Sequence, residues 1–349
     1  MSDRLTTEEL LEVRKNFRID FAPVMLQRFF PNIFTSQSKF VVFEEINEDV
    51  PMAPLVLPLI NGKPDKNEGF EATKLEPAYV KSTHKIDPEQ STQRLPGEAL
   101  GGSLDPVTRL AMIRADSLQK EEKAILQRLE KIATDVLYDG SCTLVGDDYP
   151  ARLIDYNRRA ENTIKLSGID KWSAMDKATY DPTEDLEEWA SNCQGIASDF
   201  IFDKKSWALF ISFKAVKEKR DTTQRGETTS IQTGPTIKRG AAEKAMQYKG
   251  TFGEFNLWLF AGEVMQADRS TLSLARENTI LITPSSGDGS QAYGAIRDAK
   301  ANAAGVISVS RYPKNWFSDG DVSEEWIQTQ CAPLLVPDNP NNVVAVTVD

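Results

Sequence analysis

The chain has 349 residues, 40% of them hydrophobic, with one histidine and a formal net charge of -11. That is ample apolar material for buried cores, because a chain of this length removes roughly three quarters of its unfolded surface from water. The acidic balance argues against a nucleic-acid binder, which needs lysines and arginines clustered against phosphates; Lys217, Lys219 and Arg220 are interleaved with Glu218 and Asp221.

The N-terminus carries acids where a signal peptide would have an apolar core, and no apolar run approaches the length of a spanning helix. The expectation is a soluble chain that stays in the compartment where it is made, with no membrane partner. Cys142, Cys193 and Cys331 lie far apart and form no CxxC, which suits reduced thiols packed as small hydrophobes.

Residues 1–37 read as an arm. Thr6 and Glu9 form a capping box ahead of Leu10, Leu11 and Val13, predicting one short helix. Phe17, Phe21, Phe29, Phe30 and Phe34 follow without a polar period to cover them, so the segment must dock on its own core or on another subunit.

Residues 38–90 carry strand signals at Phe40–Phe43, Leu55–Leu57 and Ala78–Val80, with a turn signal at Asn61-Gly62. Pro51, Pro54, Pro58, Pro64, Pro77 and Pro88 cannot donate to a ladder, so an extended, edge-like hairpin is expected. A hairpin alone is marginal in water, which points to a partner strand on a neighbouring chain.

Asp105-Pro106 is a helix start, and apolar residues spaced by three and four run from Val107 to Val136 before Asp139-Gly140. The predicted helix, about 105–139, spans roughly 50 Å at 1.5 Å per residue. Its middle, Gln119 to Lys123, is polar all round and is expected to bridge solvent between two packed ends.

Short strands are expected at Thr143–Val145 and Arg152–Ile154, and a second helix begins at Asp181-Pro182. From Ser198 the pattern becomes α/β-like, with a strand at Phe200–Phe202 and a helix over 204–219. Residues 220–240, poor in apolar side chains, read as a mobile loop. Strands near Phe255–Phe260 and Thr279–Ile282 follow, then a helix near 292–304 and terminal strands around 326–336 and 343–348.

Chemistry-bearing motifs are missing. His84, flanked by Lys81 and Lys85, reads as an exposed or interface residue. A single histidine excludes a Ser-His-Asp triad in a compact core and nearly all multi-histidine metal sites. Gly97 to Gly102 lacks the Gly-Lys-Ser/Thr ending of a phosphate loop, Ser285 to Gly289 is a turn cluster, and Asp319-Gly320-Asp321 misplaces its glycine for a calcium loop. The acid pairs Asp147-Asp148 and Glu187-Glu188 read as solvated surface, and the six tryptophans are scattered core or interface anchors. No catalytic, cofactor-binding or metal-ligating residue is assigned, and the chain is expected not to be an enzyme.

Four blocks carry a resemblance. They are Pro77–Lys81 with His84, Pro88 and Arg94-Leu95-Pro96; Trp172-Ser173 with Asp176-Lys177 and Thr179–Thr183; Trp207–Phe210 with Ser212–Lys219; and Arg311–Trp316 with Ala332-Pro333-Leu334. Together they span nearly the whole chain, which resembles the lambda-type bacteriophage major capsid (head) protein family.

The resemblance implies an α+β chain of the Hong Kong 97-type capsid fold. Its parts would be an N-arm (1–37), an E-loop (38–90), a P domain (91–198) holding the long spine helix, an A domain (199–309), and a return to the P domain with C-terminal strands (310–349). It implies self-assembly as hexamers and pentamers into the icosahedral head around a tailed phage's double-stranded DNA. The partners implied are the chain itself, a scaffold, a portal and a threefold decoration protein, with DNA enclosed without sequence-specific binding. Its location would be the virion, after assembly in the host cytoplasm. An encapsulin-like nanocompartment subunit is the alternative on the same fold, and a hydrolase built on carboxylates alone is the alternative from another class.

Overall fold

The computed structural model describes residue 10 and residues 21–45, 71–93, 105–146, 149–219, 241–318 and 323–349. The expected capping box at Thr6, the strand at Leu55–Leu57, the turn at Asn61-Gly62, the Gly97–Gly102 stretch, the pair Asp147-Asp148, the 220–240 loop and Asp319–Asp321 lie outside the described residues.

In chain order come α1 (Val24–Phe29), β1 (Asn32–Thr35), β2 (Val41–Glu45), β3 (Glu71–Leu75), β4 (Val80–Ile86) and the long helix α2 (Pro106–Asp139). Then follow β5 (Ser141–Gly146), β6 (Tyr149–Asp155), β7 (Thr163–Lys165), α3 (Pro182–Ser191), β8 (Asp199–Phe202), α4 (Lys204–Phe210), α5 (Lys214–Lys219) and α6 (Ala241–Ala245). The remainder is β9 (Met246–Phe252), β10 (Phe255–Phe260), β11 (Glu263–Met265), β12 (Thr271–Ser273), β13 (Thr279–Thr283), β14 (Ser290–Tyr293), α7 (Ala299–Ala303), β15 (Tyr312–Ser318), β16 (Glu324–Cys331), β17 (Pro333–Val336) and β18 (Val344–Thr347).

Helix α2 starts and stops where its caps dictate. Asp105 sits extended before Pro106, and its carboxylate accepts the Thr108 hydroxyl instead of a backbone N–H. The helix ends on Gly140 at φ +65°, a left-handed position where a side chain is strained. Arg158 then closes that end, donating to the carbonyls of Val136, Leu137 and Tyr138 at 2.8, 2.7 and 3.1 Å. A Cβ on residue 140 would lie 2.7 Å from the Arg158 Cβ, so Gly140 also makes room for this cap.

A six-stranded sheet in the order β7-β18-β13-β8-β10-β9 separates two cores. Its central strands alternate between them, as the two-residue period of a strand requires. Ile201, Leu281 and Ala345 face the core built around α2. Phe200, Phe202, Ile280, Ile282, Val344 and Val346 face an aromatic core with Trp172, Trp189, Phe210 and Phe213. Two three-stranded sheets, β15-β16-β4 and β1-β14-β17, flank α2 and α1, and β2-β3, β5-β6 and β11-β12 form hairpins. Strand β4 lies at a sheet edge, where the prolines around it are tolerated.

Two expectations need correction. The helix over 204–219 is two helices, α4 and α5, because Ser212 turns its N–H and hydroxyl onto the Leu209 carbonyl. That turn drives Phe213 fully into the aromatic core, edge-on to Trp172. The helix near 292–304 is confined to Ala299–Ala303, capped by Asp298, whose carboxylate accepts the Lys300 N–H at 2.9 Å. Residues 290–293 instead form β14, paired on both sides by β1 and β17, and two ladders outweigh the helix propensity of Ala292. Four of the tryptophans, read as anchors, form two pairs: Trp172 stacks on Trp189 at 5.8 Å in the aromatic core, and Trp316 on Trp326 at 6.3 Å.

Candidate assembly surfaces

The polar middle of α2 does not bridge solvent. Glu121 is fully buried, accepting the Thr329 hydroxyl at 2.6 Å and lying 3.4 Å from the His84 Nδ1. Arg114 grips Glu325 with two parallel bonds of 2.8 and 3.1 Å, and Asn315 donates to the same carboxylate at 3.2 Å. Arg311 Nε approaches Glu122 at 3.3 Å while its guanidinium lies over the Tyr293 ring at 5.2 Å. These charges face the sheet β15-β16-β4, whose β16 packs along the helix. Their partners lie roughly two hundred residues away in sequence, which is why the pattern alone suggested a solvated stretch.

Residues 21–30 of the aromatic N-terminus dock on the chain's own body. Phe29 and Phe30 are buried, and the backbone of Gly287 and Gly289 comes close enough that a Cβ would sit 2.9 and 2.6 Å from the Phe29 carbonyl oxygen. The glycines of the Ser285–Gly289 turn thus allow close packing of the turn against Phe29 and Phe30. Gln291 donates to the Phe30 carbonyl at 2.8 Å. Arg28 ion-pairs with the buried Asp199, donates to the Ser285 carbonyl at 2.8 Å and lies over the Trp258 ring at 5.1 Å. The Met25 and Leu26 N–H groups donate to the two oxygens of Glu130 at 2.9 and 2.8 Å. Leu10, too, is buried, in a small cluster with Ile86, Ile113, Leu118 and Ile327.

Apolar side chains left outside fall at particular places. Ile33 and Phe34 of the edge strand β1 are 59% and 61% exposed, and Val107 and Met112 near the start of α2 are 74% and 50% exposed. Val145 and Leu153 project from the β5-β6 hairpin. Trp316 and Trp326 form a half-buried cross-strand pair, with the Lys314 ammonium 5.2 Å from the Trp316 ring. Singly such residues are ordinary, but an open strand edge carrying two of them is a template for association.

Among the described residues, no group of three His, Cys, Asp or Glu could hold a metal, and no helix is long and apolar enough to cross a membrane. His84 is half-buried against Glu121, Glu187 and Glu188 are exposed, and no disulfide joins the three cysteines, of which Cys142 and Cys331 are buried. Burial pushes the Cys142 thiol up to about 12, away from reactive thiolate.

Comparison with known proteins agrees with this architecture over its full length. The family described as phage major capsid protein E matches residues 6–348. The major capsid protein of Escherichia phage lambda is 34% identical over 341 residues, covering 98% of both chains. That of Enterobacteria phage phi80 is 36% identical over 342 residues with the same coverage. Among solved structures, the putative capsid protein of a prophage of E. coli CFT073 superposes with a TM-score of 0.76 at 25% identity, covering 100% of both chains. A phage-related protein from Bordetella bronchiseptica, 11% identical, shares the fold with a TM-score of 0.53 over 99% of this chain and 98% of its own. The α+β architecture is thus the Hong Kong 97-type capsid fold, and the chain belongs to the phage major capsid protein E family, within its lambda-type branch.

Proposed function

We propose that the chain assembles as hexamers and pentamers into the icosahedral head that encloses a tailed phage's double-stranded DNA. The observation that carries this reading is the identity of 34% to a phage major capsid protein along 98% of the chain, without a missing or added domain in the match. It favours a genome shell over an encapsulin-like compartment. The role is structural: the shell is the product, and no side chain is assigned catalytic, cofactor-binding or metal-binding work.

In this reading residues 1–37 are the N-arm, 38–90 the E-loop, 91–198 the P domain with α2 as its spine, 199–309 the A domain, and 310–349 the return to the P domain with the C-terminal strands. The pairing of β4 with β16, which itself pairs with β15, supports a return of the chain after residue 310, because it stitches the E-loop base to the late strands along the spine. The six-stranded sheet draws on three of these parts, since β18 lies between β13 and β7. Lattice contacts are expected at the surfaces a single copy leaves open: β1, the start of α2, the β5-β6 hairpin and the Trp316–Trp326 face.

The partners in this reading are other copies of the chain, a scaffold, a portal and a threefold decoration protein, with assembly in the host cytoplasm and residence in the virion. A net charge of -11 suits a wall that holds DNA without gripping it. Negative-stain microscopy of the purified chain, alone and with scaffold and decoration protein, tests the proposal. Closed shells or capsomer rings are expected; monodisperse small particles under all conditions would overturn it.

A further inference from the structure

Cations that lie far apart in the sequence are gathered by the fold into one groove. Between α2, the start of β4 and strand β5 it encloses about 420 Å³, and Lys81, Arg128 and Lys131 line it against a single acid, Asp135. That acid is already matched twice. Lys131 donates to one of its oxygens at 2.5 Å, and Arg276, ahead of β13, donates to the other at 2.9 Å. Lys81 and Arg128 are exposed, and no acid among the described residues pairs with either. The Lys81 ammonium lies 5.4 Å from the Tyr79 ring instead. Arg152, opposite Leu144 in the β5-β6 ladder and so beside the groove, donates to the Glu76 carbonyl and not to a carboxylate.

A chain with 52 acids against 41 lysines and arginines thus concentrates unmatched positive charge in one place. A cleft with packed walls focuses the field of such charges. Two further features suit a polypeptide. Thr143 to Gly146 of β5 line the groove and only Tyr149 of β6 does, so the groove follows the edge of β5 that has no strand partner. A segment laid there would gain ladder hydrogen bonds as well as charge. Buried Ala78, Ile132 and Leu144 supply an apolar wall, and Val145 beside them is 59% exposed.

We propose that this groove receives an acidic, extended segment of a second copy of the chain. The acid surplus of that copy supplies the complementary charge, and the open edge of β5 and the apolar wall favour a polypeptide over bare phosphate. The contact presupposes the shell proposed above, which brings copies against one another repeatedly, and gives one of its joints an electrostatic chemistry.

Shells assembled from a mixture of heavy-nitrogen-labelled and unlabelled Arg128→Lys chains, treated with a carbodiimide that joins amine to carboxyl without a spacer, test this. Mass spectrometry is expected to find Lys81 or the amine introduced at position 128 linked to Asp or Glu in mixed-label peptide pairs. Lys81→Glu combined with Arg128→Glu should lower the yield of shells on the order of tenfold at low salt, because like charges then face each other. The reversed chain should keep its melting temperature, since neither side chain has an ion-pair partner of its own. Added salt should weaken wild-type assembly and narrow the gap.

The absence of cross-copy links at both positions would overturn the inference, and so would full assembly of the reversed chain; either result leaves the shell reading intact. Links only to an added scaffold or decoration protein, or lysines shielded only when DNA is present, would overturn it as well. If the reversed chain misfolds, the links in Arg128→Lys shells still decide. A wild-type chain that never assembles would overturn both readings.

Discussion

Helix α2 is one continuous element seated on two different chemistries. Between Arg114 and Glu122 it presents Arg114, Glu121 and Glu122 to the side of the sheet β15-β16-β4, where Glu325 and Thr329 of β16 meet the first two and Arg311, just before β15, meets the third. Between Ile125 and Leu137 it presents Ile125, Leu129, Ile132, Ala133 and Val136 to the main core, with Met25, Leu26, Phe29 and Phe30 packed on the same region. The apolar seat is tolerant of small shifts, because dispersion and burial are not directional. The ion-paired seat is not: a bidentate Arg114–Glu325 pair accepts one register of helix against sheet. Cohesion and registration are thus divided between the two halves of a single strut.

The largest effect is expected where the ionic seat is broken from one side. Arg114→Ala leaves Glu325 buried without its guanidinium and should cost about 3–5 kcal/mol in chemical denaturation. Arg114→Met combined with Glu325→Leu should recover most of that loss, since removing both charges also removes their desolvation cost. A double variant as unstable as the single would mean that the pair contributes far more than it costs to bury.

Truncation of the apolar seat comes next. Leu129 is fully buried, and Leu129→Ala should cost about 3 kcal/mol through lost transfer energy and a residual cavity. A much smaller loss in the same measurement would show that the core collapses around the gap. At the helix end, Gly140→Ala should lower the melting temperature through about 1–2 kcal/mol of left-handed strain, joined by displacement of the Arg158 cap. The smallest effect belongs to the solvent face. Lys120 and Asp116 are both well exposed, so Lys120→Ala should stay within about 0.5 kcal/mol of wild type.

Much of α2 was legible in the sequence because its signals are local. Asp105-Pro106 and Asp139-Gly140 mark its ends within a residue, and its apolar spacing needs no knowledge of the partner. The strands at 200–202, 255–260 and 279–283 were legible for the same reason: continuous apolar runs of β-branched and aromatic residues are what a sheet buried on both faces requires. The buried role of Glu121 and Glu122 was not, because a charged residue is compatible with water or with a distant counter-charge, and only the fold chooses. The aromatic N-terminus was ambiguous in the same way. Phe29 and Phe30 demand a hydrophobic seat, but nothing local says whose.

By itself the sequence determined which segments are helix and strand wherever caps and periodicity agree, that a single histidine cannot build a multi-histidine site, and that a resemblance to phage head proteins runs nearly end to end. Tertiary structure alone decided that the polar middle of α2 is an ion-paired seat, that residues 290–293 are a strand, that the helix after Asp203 breaks at Ser212, and that Phe29 and Phe30 dock at home. The reason is common to all four. Short-range preferences are worth about 1 kcal/mol or less per residue, whereas burial, two-sided strand pairing and ion pairing draw on partners that only the folded chain brings within reach.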